Sequence, residues 1–479
     1  MAVLTGLAPE GVFKYFEAIC GIPHGSGNTK MISDYVADFA KERNLRYIQD
    51  DSNNVIIFAD GTKGYEDHEP VLLQGHLDMV CEKAEDCTID MDKEGLDLCL
   101  KDGIISANGT TLGGDDGIAV AYMLAILDDE TIPHPPLECV FTVDEEIGML
   151  GCAALDMSPL KGRKMINLDS EEEGYFLVSC AGGVTATAHF GIEREKYEGS
   201  ALKVVLNGLK GGHSGVEIDK GRGNANTLLG RALYLARKEV KDLKIVTIAG
   251  GLKDNAIPKS SEAVVVTKDP KKFIEEIDKI EKIYKNEFVT TDNEIAIKAV
   301  ETENSLEPMN EKTTKNVITA LMMLPAGIQR MSFDIQGLVE TSLNLGILKT
   351  NENEVTMSYS VRSSVESEKN ELIDKMTCLA EALGGNVTTM GAYPAWEYRK
   401  DSPLRDLMLE VYKEQYNKEP IVQALHAGVE CGLFAGGLPG LDAVSIGPDM
   451  TDIHTFNESM SVDSVKRVWD YILELLKRL

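Results

Sequence analysis

One stretch, Val71–Met79, constrains this chain more than any other, because an apolar run in it ends in a histidine and an aspartate. The apolar residues between Pro70 and Gly75 predict a buried β-strand, and positions two apart on an extended chain point to the same side. His76 and Asp78 therefore face one point just past the carboxyl end of the strand, where open α/β sheets place their functional groups. We interpret His76 as a metal ligand and Asp78 as the carboxylate that orients it. A histidine that only bonds a loop carbonyl is the alternative for this pair taken alone.

Acidic residues or histidine also follow the other strands predicted for the core: Glu145 and Glu146 after Leu137–Val143, Asp169 after Lys164–Leu168, and His454 in the loop after Leu441–Gly447. Asp115 begins a helix that extends to Leu127 and is apolar on nearly every side, which predicts that the helix is buried. A surface position or a helix cap explains any one of these carboxylates, but not their repeated placement. We therefore predict that the set forms a metal site.

The types of side chain in this set favour particular metals. Two histidines and several carboxylates suit Zn²⁺, Mn²⁺ or Co²⁺ rather than a metal that prefers thiolates. Four carboxylates and two histidines are too many for one tetrahedral zinc, but they fit two ions roughly 3.5–4 Å apart that share one carboxylate. Three ligating carboxylates leave one positive charge from two dications, which a bridging hydroxide neutralises. One glutamate of the pair Glu145–Glu146 then stays free, so one binds metal while its neighbour takes a proton from the water.

The charge balance excludes several partners. The chain has 479 residues, and its 78 acidic against 48 basic side chains give a net charge of −30, which repels nucleic acid and anionic membranes. The longest apolar run, Gly117–Leu127, is too short to span a bilayer, and Met1–Phe16 lacks the pattern of a secretion signal. Nine cysteines without a Cys-x-x-Cys pair favour reduced thiols. We therefore expect a cytoplasmic protein of two or three domains, without a nucleic-acid or membrane partner.

Motifs along essentially the whole chain resemble those of the M20 metallopeptidases, and their layout is similar to that of the aminoacyl-histidine dipeptidase branch: His76-Leu-Asp78, Gly113–Gly117, Asp144–Glu146, Asp169, Gly211–Gly215, Asn255–Pro258, Arg362 and His454. The resemblance implies an α/β fold, with a mixed-sheet catalytic domain that has helices on both faces and an inserted α/β lid domain. It also implies two divalent metal ions per chain, with zinc as the first choice and cobalt or manganese as alternatives.

The pattern of strands and helices indicates where the inserted domain lies. From about Gly183, strand-like alternation is interspersed with amphipathic helices such as Asn226–Arg237. We expect the catalytic domain in two parts, residues 1–182 and 397–479, around a lid domain of residues 183–396. Since single-lid relatives have one small α/β unit here, the length of the insertion predicts two such units in tandem. The chain is expected to end in an amphipathic helix, Val462–Leu479, capped by Ser461.

The resemblance also implies a role for each residue at the metal site. One metal would be held by His76, Asp115 and Asp169, and the other by Asp115, Glu146 and His454, so that Asp115 bridges the pair. Asp78 would orient His76, and Glu145 would act as general base and general acid. The peptide bond between Asp115 and Asp116 would be cis.

Three residues of the insertion have implied roles in substrate binding. His213 would stabilise the oxyanion of the tetrahedral intermediate, with Asn255 assisting. Arg362 would bind the C-terminal carboxylate of the substrate, because a guanidinium group binds a carboxylate through two hydrogen bonds. An ordinary turn histidine and a solvated strand end are the alternatives for His213 and Arg362. His426 and Glu430 are weaker candidates for the same pocket.

Together these features predict a metal-dependent dipeptidase that hydrolyses short unblocked peptides, including Xaa-His and β-alanyl-histidine types. An N-acyl amino acid deacylase of the same family is the alternative, since it uses the same metals and differs in the pocket for the amino side. A catalytically inactive binding protein is a third hypothesis, against which the retention of Glu145 argues. The expected partner is a small peptide substrate, and the chain is expected to be a monomer or a homodimer. We expect His213 to act within its own chain rather than across a dimer.

Overall fold

The computed structural model describes residues 3–479. Its contacts divide the chain into two compact units. Unit 1 comprises the chain up to Ser179 together with Tyr398–Ala424 and Val429–Leu479, and unit 2 comprises Cys180–Glu397 and Leu425–Gly428. The division into a catalytic domain and a lid domain, with boundaries after residues 182 and 396, stays a prediction.

Helices and strands alternate through the described residues. The helices are α1 Glu10–Cys20, α2 Lys30–Glu42, α3 Gly114–Asp128, α4 Leu150–Ala154, α5 Ala225–Glu239, α6 Pro270–Glu287, α7 Glu311–Met323, α8 Glu366–Ala382, α9 Pro403–Tyr416, α10 Glu430–Gly437 and α11 Val462–Arg478. The strands are β1 Arg46–Gln49, β2 Val55–Ala59, β3 Val71–His76, β4 Leu98–Lys101, β5 Ile104–Ala107, β6 Leu137–Thr142, β7 Lys164–Asn167, β8 Tyr175–Cys180, β9 Gly182–Gly191, β10 Ser200–Asn207, β11 Gly212–His213, β12 Lys244–Gly250, β13 Ala256–Ile257, β14 Ser261–Thr267, β15 Ala296–Glu301, β16 Gly327–Met331, β17 Val339–Thr350, β18 Glu354–Ser363, β19 Asn386–Tyr393, β20 Ile421–Leu425, β21 Asp442–Ser445, β22 Met450–Thr451 and β23 Ser459–Ser461.

Unit 1 is built on a mixed eight-stranded sheet with the strand order β1-β2-β6-β3-β7-β21-β8-β20. The central strands β6, β3, β7 and β21 are parallel to one another, whereas β1, β2 and β8 pair antiparallel with their neighbours. A mixed α/β class was predicted, and the sheet confirms it. A second, four-stranded sheet in unit 1 has the order β22-β23-β5-β4, and the loop between β22 and β23 carries His454.

Local sequence explains the elements that position the site. Every residue of β3 is buried, as its apolar run predicts for a strand in the middle of a sheet. Helix α3 packs on β3 and is buried along nearly its whole length, which agrees with its lack of a polar face. At the other end of the chain, α11 is amphipathic, and its first turn is capped by the Ser461 side chain, which accepts a hydrogen bond from the backbone N–H of Ser464.

Unit 2 contains one continuous antiparallel sheet with the order β15-β10-β14-β12-β17-β18-β9-β19, and β16 pairs with β17. Two four-stranded halves of this sheet meet where Gly250 of β12 pairs with Leu348 of β17. The two tandem units expected from the length of the insertion stay a prediction. Both halves share one core, because alternate residues of β9 such as Ala186 and Ala188 belong to the same apolar cluster as residues of α5, α6, α7 and α8.

Within residues 3–479, no helix is both long enough and apolar enough to cross a membrane.

Candidate functional site

The central parallel strands of unit 1 bring most of the predicted site residues to one edge of the sheet. His76 is the last residue of β3, while Asp169 follows β7 and the pair Glu145–Glu146 follows β6. These strands lie side by side in the order β6-β3-β7. Because parallel strands end at the same edge, residues far apart in sequence meet there.

Asp115 lies at the centre of this cluster. Its Oδ1 atom lies 3.2 Å from Nε2 of His76, and its Oδ2 atom lies 3.1 Å from Nε2 of His454. Nε2 of His76 is also 3.4 Å from Oδ1 of Asp169, and Nε2 of His454 is 2.9 Å from Oε1 of Glu146. The two oxygens of one carboxylate thus face two different histidines, each of which has a second carboxylate beside it. This is the arrangement expected of a ligand shared by two cations.

Three groups of side chains have ligand atoms within 4.8 Å of one another: His76 with Asp116 and Asp169, His76 with Glu145 and Glu146, and Asp115 with Glu146 and His454. Asp116 is the residue among these that the sequence analysis did not include. Its Oδ2 atom accepts a hydrogen bond from the backbone N–H of His76 at 3.1 Å, so Asp116 fixes the end of β3. The peptide bond that joins Asp115 to Asp116 is cis, as the resemblance implied.

Burial and neighbouring charges shift the pKa of His76, His454 and Asp169. Burial lowers the pKa of His76, but Asp169, Asp115 and Asp78 outweigh it and raise that pKa well above its usual value. Hydrogen bonds to Asp115 and Glu146 raise the pKa of His454 to about 10. Burial raises the pKa of Asp169 well above its usual range. Positive charge is therefore strongly favoured at this point of the molecule.

The donor set fits divalent cations. The shortest contacts join three carboxylates to two imidazoles. Carboxylate oxygen and imidazole nitrogen are ligands that zinc, manganese and cobalt accept. The imidazole nitrogens and carboxylate oxygens lie 2.9–3.4 Å apart, so a cation would meet ligand atoms that are already close together. The residues present thus form a cluster able to hold metal.

Asp78 lies beside Nδ1 of His76 with both its main chain and its carboxylate. The backbone carbonyl of Asp78 lies 2.9 Å from Nδ1 of His76, whereas its carboxylate Oδ1 lies 3.5 Å away. The carboxylate instead accepts hydrogen bonds from the Ser26 hydroxyl at 2.8 Å and from the backbone N–H groups of Glu145 at 3.1 Å and Glu146 at 3.4 Å. The main chain of Asp78 thus makes the shorter contact with the histidine, and its carboxylate also holds the segment that carries both glutamates. The orienting role of the carboxylate stays a prediction.

Glu145 differs from the ligands around it. Burial raises the pKa of its carboxyl to about 8, and the nearby carboxylates of Glu430, Glu146 and Asp115 act in the same direction, whereas His76 opposes them. A carboxyl group whose pKa lies near neutrality can both accept and return a proton.

Glu458 is a structural residue of the site that the sequence analysis missed. Its buried carboxylate accepts hydrogen bonds from four successive backbone N–H groups, those of residues 112–115, at 2.7, 3.0, 2.8 and 3.3 Å. It therefore fixes the glycine-rich segment that presents Asp115 and ties it to the loop that carries His454. The sequence offers one signal, an acidic residue close to His454, but nothing in it indicates the partner segment.

Unit 2 contains the three residues predicted to bind substrate. His213 lies on β11, which pairs with β13 next to Asn255, and the backbone carbonyl of Asn255 accepts a hydrogen bond from the N–H of Ser214 at 2.9 Å. Arg362 lies near the end of β18 and is only 7% exposed, so it is not a solvated strand end. One of its nitrogens, Nη1, donates a hydrogen bond to the Tyr393 hydroxyl at 3.0 Å.

Several buried polar atoms near Arg362 have no hydrogen-bond partner within residues 3–479, among them Nε of Arg362, Nδ1 of His426 and the hydroxyl of Ser214. Nε2 of His426 lies 2.7 Å from the Ser342 hydroxyl. Burial, Arg362 and His213 together lower the pKa of His426 to about 3, and burial and Arg362 lower that of His213. A buried guanidinium group thus lies among neutral imidazoles, which favours an anionic ligand.

Glu430, the other weak candidate, lies in unit 1. Its side chain is fully buried, and Oε2 accepts hydrogen bonds from Gln74 and Thr142, each at 2.6 Å. Burial raises the pKa of this carboxyl to about 7. The group supports strands β3 and β6 from inside the unit rather than lining an open pocket.

Carboxylates and imidazoles gathered at the carboxyl edge of a mixed sheet, with a glutamate of raised pKa beside them, define the class of metal-dependent hydrolases. The family model described as peptidase family M20/M25/M40 matches residues 72–478. The chain therefore belongs to this family, and the predicted resemblance is confirmed. It is a hydrolytic enzyme.

Relatives with full-length similarity support this assignment. The chain is 36% identical to the cytosol non-specific dipeptidase of Escherichia coli K12, over 100% of this chain and 99% of that protein. The crystal structure of aminoacylhistidine dipeptidase from Vibrio alginolyticus has a TM-score of 0.93 and 34% identity, and the match covers 99% of this chain and 98% of that one. Aminopeptidase PepT from Bacillus cereus shares the fold, with a TM-score of 0.56 and 16% identity over 98% of both chains.

Proposed function

We propose that this enzyme is a metal-dependent dipeptidase that hydrolyses short unblocked peptides, including Xaa-His and β-alanyl-histidine types. The observation that carries the proposal is the full-length similarity to a cytosol non-specific dipeptidase and to an aminoacylhistidine dipeptidase, at 36% and 34% identity. The gathered ligand set of unit 1 supplies a mechanism for it.

Two divalent cations are proposed as cofactors, with zinc as the first choice and cobalt or manganese as alternatives. His76, Asp115 and Asp169 would hold one, and Asp115, Glu146 and His454 would hold the other. The contacts of the two Asp115 oxygens, 3.2 Å to one histidine and 3.1 Å to the other, support this division. When bound, such cations polarise a scissile carbonyl and lower the pKa of a water molecule.

Glu145 is proposed as the group that moves the proton. It takes a proton from the attacking water as the new C–O bond forms, and it passes that proton to the leaving amine nitrogen as the C–N bond breaks. Burial raises its pKa to about 8 in the metal-free chain, and a carboxyl group of raised pKa can both accept and return a proton. Asp78 supports it by accepting a hydrogen bond from its backbone N–H at 3.1 Å.

Residues of unit 2 are proposed to bind the peptide. Arg362 binds its C-terminal carboxylate, which its burial and its unpartnered Nε favour. His213, whose pKa is lowered, stays neutral and donates a hydrogen bond to the developing oxyanion, with Asn255 assisting. His426 is a further candidate for binding the peptide, together with Arg362. One chain supplies every proposed residue, whether the protein is a monomer or a homodimer.

Two wider proposals accompany this one. Residues 1–182 and 397–479 form the catalytic domain, and residues 183–396 form the lid domain. The enzyme works in the cytoplasm, where its nine cysteines stay reduced.

A substrate panel tests the proposed function. Protein stripped of metal is given zinc, cobalt or manganese in turn and is assayed with unblocked dipeptides, tripeptides and acetylated amino acids. We expect hydrolysis of the dipeptides, including β-alanyl-histidine, and little hydrolysis of the acetylated compounds. Faster hydrolysis of the acetylated amino acids would make the enzyme a deacylase. Bound metal without turnover of any compound would indicate a binding protein.

A further inference from the structure

Unit 2 contains a cavity of about 1000 Å³ that no step of the proposed mechanism uses. Its walls come from strands β10, β12 and β14 and from the segment that links β12 to β14. On the strands, Val205 and Ala249 are both paired with Glu262, so these side chains share one face of the sheet. The neighbours Val204 and Leu206 face the helix-covered core instead. The cavity thus lies on the face of the sheet that no helix of unit 2 covers.

The charge of this cavity is opposite to that of the whole chain. Lys210, Arg222, Lys253 and Lys259 line it, against one acidic residue, Glu262, although the chain carries a net charge of −30. Arg222 is paired with Glu217 at 2.9 Å, and Glu262 is paired with Lys203 at 2.8 Å. Within the described residues 3–479, no carboxylate forms an ion pair with the three lysines. Uncompensated positive charge around a cavity favours an anion inside it.

The remaining lining is apolar. Ile257, Pro258 and Ala249 contribute to the walls, and Leu252, which is 95% exposed, lies at the segment between the strands. The lining thus combines apolar side chains with lysines, which suits a ligand that has both an apolar body and a charged group.

One wall of the cavity is also part of the two-stranded sheet β11-β13, which carries or adjoins proposed substrate-binding residues. Gly212 of β11 pairs with Ile257 of β13, and His213 pairs with Ala256, the residue after Asn255. Gly212, Ala256 and Ile257 all line the cavity. The stem of Lys259 lies close to the segment before β11, since a Cβ atom on Gly211 would lie 2.7 Å from its Cγ. The wall of the cavity therefore includes backbone that positions His213.

We propose that this cavity binds a small organic anion with an apolar body, and that its occupancy acts on the two-stranded sheet β11-β13, which carries His213 and lies next to Asn255. The second half of the proposal rests on the proposed function, whereas the first half, binding, does not. A carboxylate or a phosphate group satisfies the same lysines, so the chemical class is an amphipathic anion, and the test distinguishes the two headgroups.

Binding is measured on the full metal-loaded chain with anilinonaphthalene sulfonate, a fluorescent anion with an apolar body. The cavity variant combines Lys253→Glu with Lys259→Glu, both of which are exposed positions, so the fold is retained. The control variant combines Lys271→Glu with Lys282→Glu, which makes the same change of charge at exposed positions of α6, outside the cavity. We expect at least about tenfold weaker binding in the cavity variant and no change in the control.

Competition then identifies the class of ligand. Octanoate and phenyl phosphate should displace the fluorescent anion from the parent protein, and the more effective of the two identifies the headgroup. Octanol, which is neutral, should displace it poorly. Equal affinity of the parent and the cavity variant, or displacement by octanol as effective as by octanoate, would overturn the proposed site.

The effect of the bound anion on catalysis is measured separately. At saturating octanoate, kcat for an unblocked dipeptide should change by about fivefold or more in the parent and stay constant in the cavity variant. If the anion binds but kcat is the same with and without it, the coupling is wrong while the site stands. If no dipeptide is hydrolysed at all, the proposed function fails, and the fluorescence result still decides the binding site.

Discussion

Asp115 contributes its two carboxylate oxygens to two different histidine contacts, at 3.2 and 3.1 Å, so removing it should affect both metals. We predict that Asp115→Ala loses more than one equivalent of metal per chain. The matched control, Asp169→Ala, should lose metal from a single position, because Asp169 lies beside His76, a proposed ligand of one metal only. Elemental analysis after dialysis measures both. Two equivalents bound to the Asp115 variant with unchanged affinity would show that Asp115 is not shared.

Glu145 has a role that can be separated from metal binding. We predict that Glu145→Gln lowers kcat by at least ~10²-fold, because the amide cannot take the proton, while metal content stays close to that of the parent. Glu172→Gln, an exposed glutamate on a nearby segment, serves as the control and should keep full activity. Similar kcat values for parent and Glu145→Gln would remove this residue from the mechanism.

Arg362 and His213 should affect different kinetic constants. We predict that Arg362→Ala mainly raises KM and abolishes any preference for a free over an amidated C-terminus, since the guanidinium binds a group present in the ground state. His213→Ala should mainly lower kcat, by about 10²–10³-fold, because its partner charge develops only in the transition state. Steady-state kinetics with free and amidated dipeptides separate the two. A change in kcat alone in Arg362→Ala would contradict the role proposed for Arg362 in binding the substrate carboxylate.

A mixing experiment asks whether one chain is sufficient. Inactive His213→Ala and Glu145→Gln chains are combined under conditions that allow subunit exchange. We expect the mixture to stay inactive, because each chain is proposed to use its own histidine. Recovery of activity would show that His213 is donated between chains.

At the scale of elements, the segment before α3 depends on one buried carboxylate. Glu458 accepts four backbone hydrogen bonds from residues 112–115, and Glu458→Gln keeps the shape but removes the charge and one acceptor oxygen. We predict a loss of about 1–3 kcal/mol in the free energy of unfolding, since hydrogen bonds to charged groups contribute more than neutral ones. The half-exposed Glu474→Gln should change it by far less.

Chemical denaturation measures this loss, and metal titration provides a second readout. Because Glu458 positions the backbone of Asp115, the variant should also bind metal more weakly. An unfolding midpoint and a metal affinity both equal to those of the parent would show that the four hydrogen bonds are replaceable.

The sequence predicted the elements that have a strong local pattern. The apolar run of β3 and the absence of a polar face on α3 indicated burial, and the residues at the strand ends indicated the ligands. It could not predict the role of Glu458, because the backbone N–H groups that it binds lie 343–346 residues away in the chain. Strands β11 and β13, of two residues each, are likewise too short for periodicity to indicate them. The hydrogen bonds of Asp78 depend on how loops pack, which spacing alone does not specify.

At the scale of the whole molecule, protons and metal compete for the same groups. The pKa of His454 is raised from 6.5 to about 10, and that of Glu145 from 4.5 to about 8. Without metal, the folded chain therefore binds more protons than the unfolded chain across this range. The contribution of His454 to stability is complete below its unfolded pKa and is lost as the pH rises through 10, while that of Glu145 is lost between 4.5 and 8.

Metal should reverse this trend, because a cation binds the deprotonated ligands and releases their protons, so its affinity rises with pH. We predict that the increase in the free energy of unfolding on adding metal is larger at about pH 8 than at about pH 6, since stabilisation by a ligand grows with its affinity. Denaturant unfolding with manganese or with a chelator at each pH measures the increase. In His454→Gln, which has no proton to displace at this position, the increase should depend less on pH. A metal effect of the same size at both pH values, in parent and variant alike, would mean that metal does not bind by displacing protons from this cluster.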